Sequence, residues 1–206
     1  MDMKGQLAIV TGGASGLGEA TARAFVARGA KIIIADRNIA LGRKVAEELG
    51  GAAYEVDVAS AQSAEAFYAD VAKSHGIPRI LVNCAGIGVA KRMVGRDGPQ
   101  TLEEFSRVIN INLIGTFNMT RLAAALMQKA EPLGEERGVI LFTASVAAYD
   151  GQIGQTAYSA SKGGIVALTL PVAREMAQFG VRVCTIAPGI FLSLIHISEP
   201  TRPERI

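Results

Sequence analysis

The sequence predicts a doubly wound parallel α/β sheet with helices on both faces, and three observations predict it. Short β-branched runs alternate with longer helical stretches from the first residues onward. The runs are apolar throughout rather than every second residue, as strands covered on both faces are. A glycine-rich turn, "TGGASGLG" at residues 11–18, joins the first run to the first helical stretch. With 206 residues, half of them hydrophobic, the chain can bury one sizeable core and reads as a single domain.

In order, the strands read as "QLAIVTG", "KIIIAD", "AAYEVDV", "RILVNCAG", "GVILFTAS" and "VRVCTIAPG". Helices are expected over 17–28, 39–49, 61–74, 102 to about 129, and 157–178. Thr101 and Glu104 in "TLEEF" give the long fourth helix a capping-box start. Strict alternation implies right-handed crossovers between neighbouring parallel strands. Two connections, 87–100 and 131–137, are longer than usual, and the first begins at a strand's carboxyl end, where this architecture binds ligands. Cys84 and Cys184 end apolar runs and are expected to be inert core thiols. Net charge is +2 without a basic block, so no nucleic-acid partner is indicated. The longest apolar stretch, 183–197, is broken by Pro188 and Gly189 and is too short to span a bilayer; no membrane association, leader or metal site is expected. His75, near a helix end, reads as a surface residue.

Glycines in a strand-to-helix turn let the backbone bend sharply and approach a pyrophosphate, whose charge then meets the helix amino-terminal amides. Asp36 ends the second strand at the spacing expected of an acid that accepts from the adenosine 2′-hydroxyl of NAD and repels the 2′-phosphate of NADP. Arg37 next to it would soften that preference. In "YSASK", Tyr158 and Lys162 share a helix face, so an ammonium can sit near a phenol and favour its ionised form. A tyrosine so tuned is a usable general acid or base. By itself Tyr-x-x-x-Lys is common, usually as a buried ring beside a snorkelling lysine. Ser145 supplies a hydroxyl at the carboxyl edge of the fifth strand, and Asn112 places an amide inside an apolar helix, where it needs hydrogen-bond partners.

These motifs, in this order, resemble the short-chain dehydrogenase/reductase family over about residues 5–191, with its Rossmann-type fold. The resemblance implies that Gly12, Gly16 and Gly18, with the intervening Ser15 and Leu17, form the pyrophosphate turn. It makes Asp36 the NAD-selecting acid and Asp57 with Val58 the adenine contact. "NCAG", holding Asn83, Ala85 and Gly86, is similar to the family's Asn-Asn-Ala-Gly, with Cys84 replacing an asparagine. Asn112, Ser145, Tyr158 and Lys162 match the catalytic tetrad, and Pro188, Gly189 and Ile190 the nicotinamide-side turn. The family mechanism then implies that Tyr158 moves the hydroxyl proton and Ser145 holds the reacting oxygen. Lys162 lowers the tyrosine pKa and binds the nicotinamide ribose, and Asn112 holds a water beside that lysine. "NCAGIGVAKR", "INLIGTFN" and "TLPVAR", with Pro171 inside a helix, resemble the subgroup of 3-hydroxyacyl-CoA dehydrogenase type 2, also called 17-beta-hydroxysteroid dehydrogenase type 10. The implied activity is NAD-dependent interconversion of 3-hydroxyacyl-CoA and 3-oxoacyl-CoA in the cytoplasm, with a homotetrameric parent. A 3-oxoacyl-carrier-protein reductase, another alcohol or steroid dehydrogenase, and a dinucleotide-binding scaffold without turnover remain open alternatives.

After Phe191 the pattern stops. "LSLIHISEPTR" corresponds to one reading frame of a common transposase sequencing adapter, so residues 192–206 are expected to be a non-native tail. On that reading the family's substrate lid and last strand are missing, His196 carries no chemistry, and the chain as written is expected to be weakly active or inactive. The sixth strand would then be an exposed, aggregation-prone edge.

Overall fold

The computed structural model describes residues 1–189; Ile190 and the tail at 192–206 lie outside the described residues. Six parallel strands form the sheet: β1 (Leu7–Thr11), β2 (Lys31–Asp36), β3 (Ala52–Glu55), β4 (Ile80–Asn83), β7 (Gly138–Thr143) and β8 (Val181–Ile186), ordered β3-β2-β1-β4-β7-β8. The order reverses between β1 and β4, which opens a crevice at the strands' carboxyl ends. Helices α1 (Gly16–Val26), α2 (Ile39–Leu49), α3 (Ala61–Ser74), α4 (Leu102–Ile109), α5 (Gly115–Met127) and α6 (Thr156–Ala177) make the crossovers. α6 runs through Pro171, whose missing N–H falls at an exposed position.

Strand side chains alternate between two cores. Ile9, Ile33, Leu81 and Ile140 pack with residues of α3, α5 and α6, while Val10, Ile34 and Val82 pack with residues of α1 and α2. Cover on the second face fades toward β8. There Val181 and Val183 are buried but Arg182, Cys184 and Ile186 are exposed, because α1 and α2 sit over the β1–β2–β3 side and nothing among the described residues covers this face of β8. The expectation of a buried Cys184 is therefore corrected: it is exposed, and Cys84 is half-buried.

Two local features differ from the sequence reading. The stretch 102–129 is not a uniform α-helix: a π-turn, Asn110–Ile114, separates α4 from α5. The connection 87–100 is also not plain loop, since β5 (Val94–Gly95) and β6 (Gly98–Pro99) form a small antiparallel hairpin. Thr101 and Glu104 make the expected capping box. His75 is exposed at the end of α3, against the Tyr54 hydroxyl at 2.9 Å. No helix among the described residues is long and apolar enough to cross a membrane.

Candidate active site

The crevice begins at the glycine turn. Gly12 has φ +64°, and a Cβ there would lie 2.8 Å from the backbone of Ala85, so only glycine lets the β1 and β4 ends approach this closely. The Thr11 hydroxyl accepts from Ala85 N–H at 3.1 Å and locks the same junction. Ser15 starts α1 in extended conformation, but its side chain makes no capping bond, so the first-turn amides have no side-chain cap. Asp36 braces the turn from the next strand: one carboxylate oxygen accepts from Ala14 N–H at 3.1 Å and the other from Asn38 N–H at 2.9 Å.

A cleft of about 330 Å³ opens here, lined by Gly12, Ser15, Gly16, Leu17, Gly18, Asp36, Asp57, Val58, Ala85 and Gly86. The same wall holds Ala35, Arg37, Val56, Cys84, Ile87 and Ile111, of which the sequence motifs touch only Arg37 and Cys84, neither as cofactor-binding. The apolar members gave no signal in sequence because their role comes from facing the crevice across the sheet. Asp57 accepts from Ala59 N–H at 3.0 Å, while the Asn118 amide donates to the carbonyls of Val58 and Ser60 at 2.9 and 3.2 Å, which fixes this turn. Asn83 is placed differently from its neighbours in the motif. It is buried in the sheet, donating to Thr120 Oγ1 at 3.3 Å and away from the cleft wall, so it supports the site rather than lining it.

Beyond Gly86 the site is made of side chains. Asn112 lies in the π-turn and is 1% exposed. Its amide donates to Ile87 O at 2.9 Å and Ser161 Oγ at 3.1 Å, and its Oδ1 accepts from Ile87 N–H at 2.8 Å. Both amide protons are thus engaged, and the side chain staples the segment after β4. The π-turn is the local distortion that aims it there; such turns recur at functional sites. The Thr116 hydroxyl satisfies the Asn112 carbonyl at 2.7 Å.

Lys162 is buried, and its Nζ donates to the Thr143 carbonyl at 2.6 Å. Burial pulls its pKa down to about 8. The ammonium lies 5.6 Å from the centroid of the Tyr158 ring. The expected depression of the tyrosine pKa is corrected: burial pushes the phenol up and the neighbouring Ser145 hydroxyl draws it down, while the lysine ammonium donates to the Thr143 carbonyl. Ser145 accepts from Ala147 N–H at 3.1 Å, which leaves its own O–H to donate toward the Tyr158 phenol. The Pro188 carbonyl accepts from Val146 N–H at 2.9 Å and brings the Pro188–Gly189 turn against this corner. Burial also raises the Cys84 thiol, which sits 3.8 Å from Thr143 Oγ1.

Comparisons with known proteins agree with this geometry. The short chain dehydrogenase family model matches residues 6–202. The chain is 47% identical to 3-hydroxyacyl-CoA dehydrogenase type-2 of Rattus norvegicus over 205 residues, covering 97% of this chain and 78% of that protein. To the Bos taurus protein of the same name it is 50% identical over 194 residues, covering 92% and 74%. The crystal structure of 3-hydroxyacyl-CoA dehydrogenase type-2 from Mycobacterium avium superposes with a TM-score of 0.87 at 44% identity, covering 94% of this chain and 78% of that one. With its six-stranded parallel sheet, its glycine turn and these relatives, the chain belongs to the short-chain dehydrogenase family of oxidoreductases.

Proposed function

We propose that the chain is built to interconvert a secondary alcohol and a ketone with NAD, and that the pair is 3-hydroxyacyl-CoA and 3-oxoacyl-CoA. The observation that carries this reading is one cleft with Asp36 at one end, the open glycine turn next and Gly86 at the other end. Lys162 Nζ lies 3.9 Å from where a Cβ on Gly86 would be, so the polar side chains adjoin the end of that cleft. The residues present fit a nicotinamide dinucleotide. Gly12 leaves the backbone bare, the Ser15 hydroxyl and the α1 amides have no internal partner for their capping role, and Asp36 presents a carboxylate where a ribose hydroxyl needs an acceptor. Gly12, Ser15, Gly16, Leu17 and Gly18 would hold its pyrophosphate, Asp57 and Val58 its adenine, and Ala85, Gly86, Lys162 and the Pro188–Gly189 turn its nicotinamide half.

The bound dinucleotide would supply the hydride acceptor and, when oxidised, a positive charge. The chain supplies proton and position. In oxidation Tyr158 Oη takes the proton of the substrate hydroxyl, and in reduction it returns it. Ser145 donates its O–H to the same oxygen, stabilising the charge that develops there. Lys162, held by Thr143, keeps a cation under the tyrosine ring up to a pH of about 8. Asn112 fixes Ile87 and so the floor of the crevice.

Acyl-CoA as substrate rests on the relatives, which are 3-hydroxyacyl-CoA dehydrogenases by name. A homotetrameric parent, cytoplasmic residence and a non-native segment at 192–206 belong to the same proposal, tested by light scattering, fractionation and sequencing of the gene past the Phe191 codon. The functional test follows NADH oxidation with acetoacetyl-CoA, against NADPH with an acetoacetyl carrier protein. Faster turnover with the first pair supports the proposal, and faster turnover with the second replaces it with a carrier-protein reductase.

A further inference from the structure

Beside the glycine turn the crevice continues into an open cavity of about 550 Å³ at the end of β2, lined by Asp36, Arg37 and Asn38 together with Glu55 of β3. Asp36 and Glu55 are register partners on adjacent parallel strands, so their side chains leave the same sheet face. Asp36 is committed to the backbone through both oxygens. Glu55 is exposed and, among the described residues, neither it nor Arg37 makes a salt bridge or side-chain hydrogen bond. The cavity therefore presents two carboxylates against one guanidinium.

We propose that Glu55 is a second determinant of dinucleotide choice, a carboxylate that keeps the cavity net negative despite Arg37 and so excludes a 2′-phosphate. This deepens the proposed function and rests on its assignment of the crevice to a dinucleotide. Arg37 alone would offer a phosphate a charge-assisted partner. A second carboxylate on the same face cancels that attraction, while a ribose hydroxyl still finds Asp36. Because the effect is long-range Coulomb energy in a solvated cavity, it shrinks with salt. The Glu55 side chain makes no hydrogen bond or salt bridge among the described residues, so Glu55→Gln is a clean perturbation, whereas Asp36→Asn leaves one acceptor oxygen for the two amides of Ala14 and Asn38.

The experiment titrates NADH and NADPH by nucleotide fluorescence into wild type, Glu55→Gln and Arg37→Ala, at low and at physiological salt. Glu55→Gln is expected to shift the NADPH to NADH affinity ratio toward NADPH by about five- to thirty-fold at low salt, less at high salt. Arg37→Ala should move it the other way. An unchanged ratio in Glu55→Gln, with NADH still bound, overturns the role of Glu55 and leaves the NAD reading intact. A wild type that binds NADPH as tightly as NADH overturns both the role of Glu55 and the NAD preference. One that binds neither nucleotide overturns the assignment of the crevice as well.

Discussion

On the β1–β2–β3 side of the sheet the crevice is walled largely by backbone: a bare glycine turn, unclaimed amides at the start of α1, and Asp36 tied to two main-chain N–H groups. On the β4–β7–β8 side it is made of side chains reaching across elements, with Asn112 bonded to Ile87 and Ser161, and Lys162 to the Thr143 carbonyl. The first side is covered by helices on both faces, while β8 has one bare face among the described residues. A site built from backbone is encoded locally, in which residues lack a side chain. One built from side chains depends on contacts between residues far apart in the chain.

The largest expected effect removes the proton carrier alone. Tyr158→Phe should lower turnover by about 10²–10⁴-fold while leaving the backbone-built side, and so NADH binding, in place. Loss of binding in step with activity would show that the two sides are not separable. Asn112→Ala comes next, because it strands both the N–H and the C=O of Ile87. It should cost about 1–3 kcal/mol in all, since Ile87 is only half-buried at the cleft, seen as a lower urea midpoint. Gly12→Ala tests the other side: a left-handed φ and a 2.8 Å approach to Ala85 should cost roughly 1–3 kcal/mol or more and weaken nucleotide binding.

Two smaller effects sharpen the contrast. Lys162 is pulled down to about 8 in the fold from 10.5, so across the window from about 8 to 10.5 the unfolded chain binds the extra proton. Its contribution to stability therefore rises with pH in that window, and a Lys162→Met variant should lose that slope in urea titrations across the same range. Cys184 on the bare face should react rapidly with a thiol reagent, and Cys184→Ser should change stability by under about 0.5 kcal/mol. Cys84 should react slowly and more slowly still with nucleotide bound, because it lines the cleft.

This division explains what the sequence made legible. Strand and helix order followed from periodicity, and Gly12, Gly16, Gly18 and Asp36 from spacing, since both are properties of neighbouring residues. The π-turn at Asn110–Ile114 was hidden because its sequence, Asn-Ile-Asn-Leu-Ile, holds no glycine or proline to interrupt the helical pattern. The bare face of β8 was only partly legible, because Arg182 marks it but Cys184 and Ile186 on the same face are apolar. The helix spacing of Tyr158 and Lys162 correctly placed the two together. It could not show that the carbonyl of Thr143, nineteen residues earlier, takes a hydrogen bond from the ammonium. Asn83 stood in the right motif, yet only its depth in the sheet shows that it props the crevice from behind.

The most direct measurement is a paired one on wild type and Tyr158→Phe: NADH affinity by fluorescence titration and NADH oxidation with acetoacetyl-CoA in the same preparation. Turnover by wild type, with the variant binding NADH equally well but turning over at least about 100-fold more slowly, is the predicted result. Equal turnover in the two proteins, or NADH binding by wild type without any turnover, would contradict it.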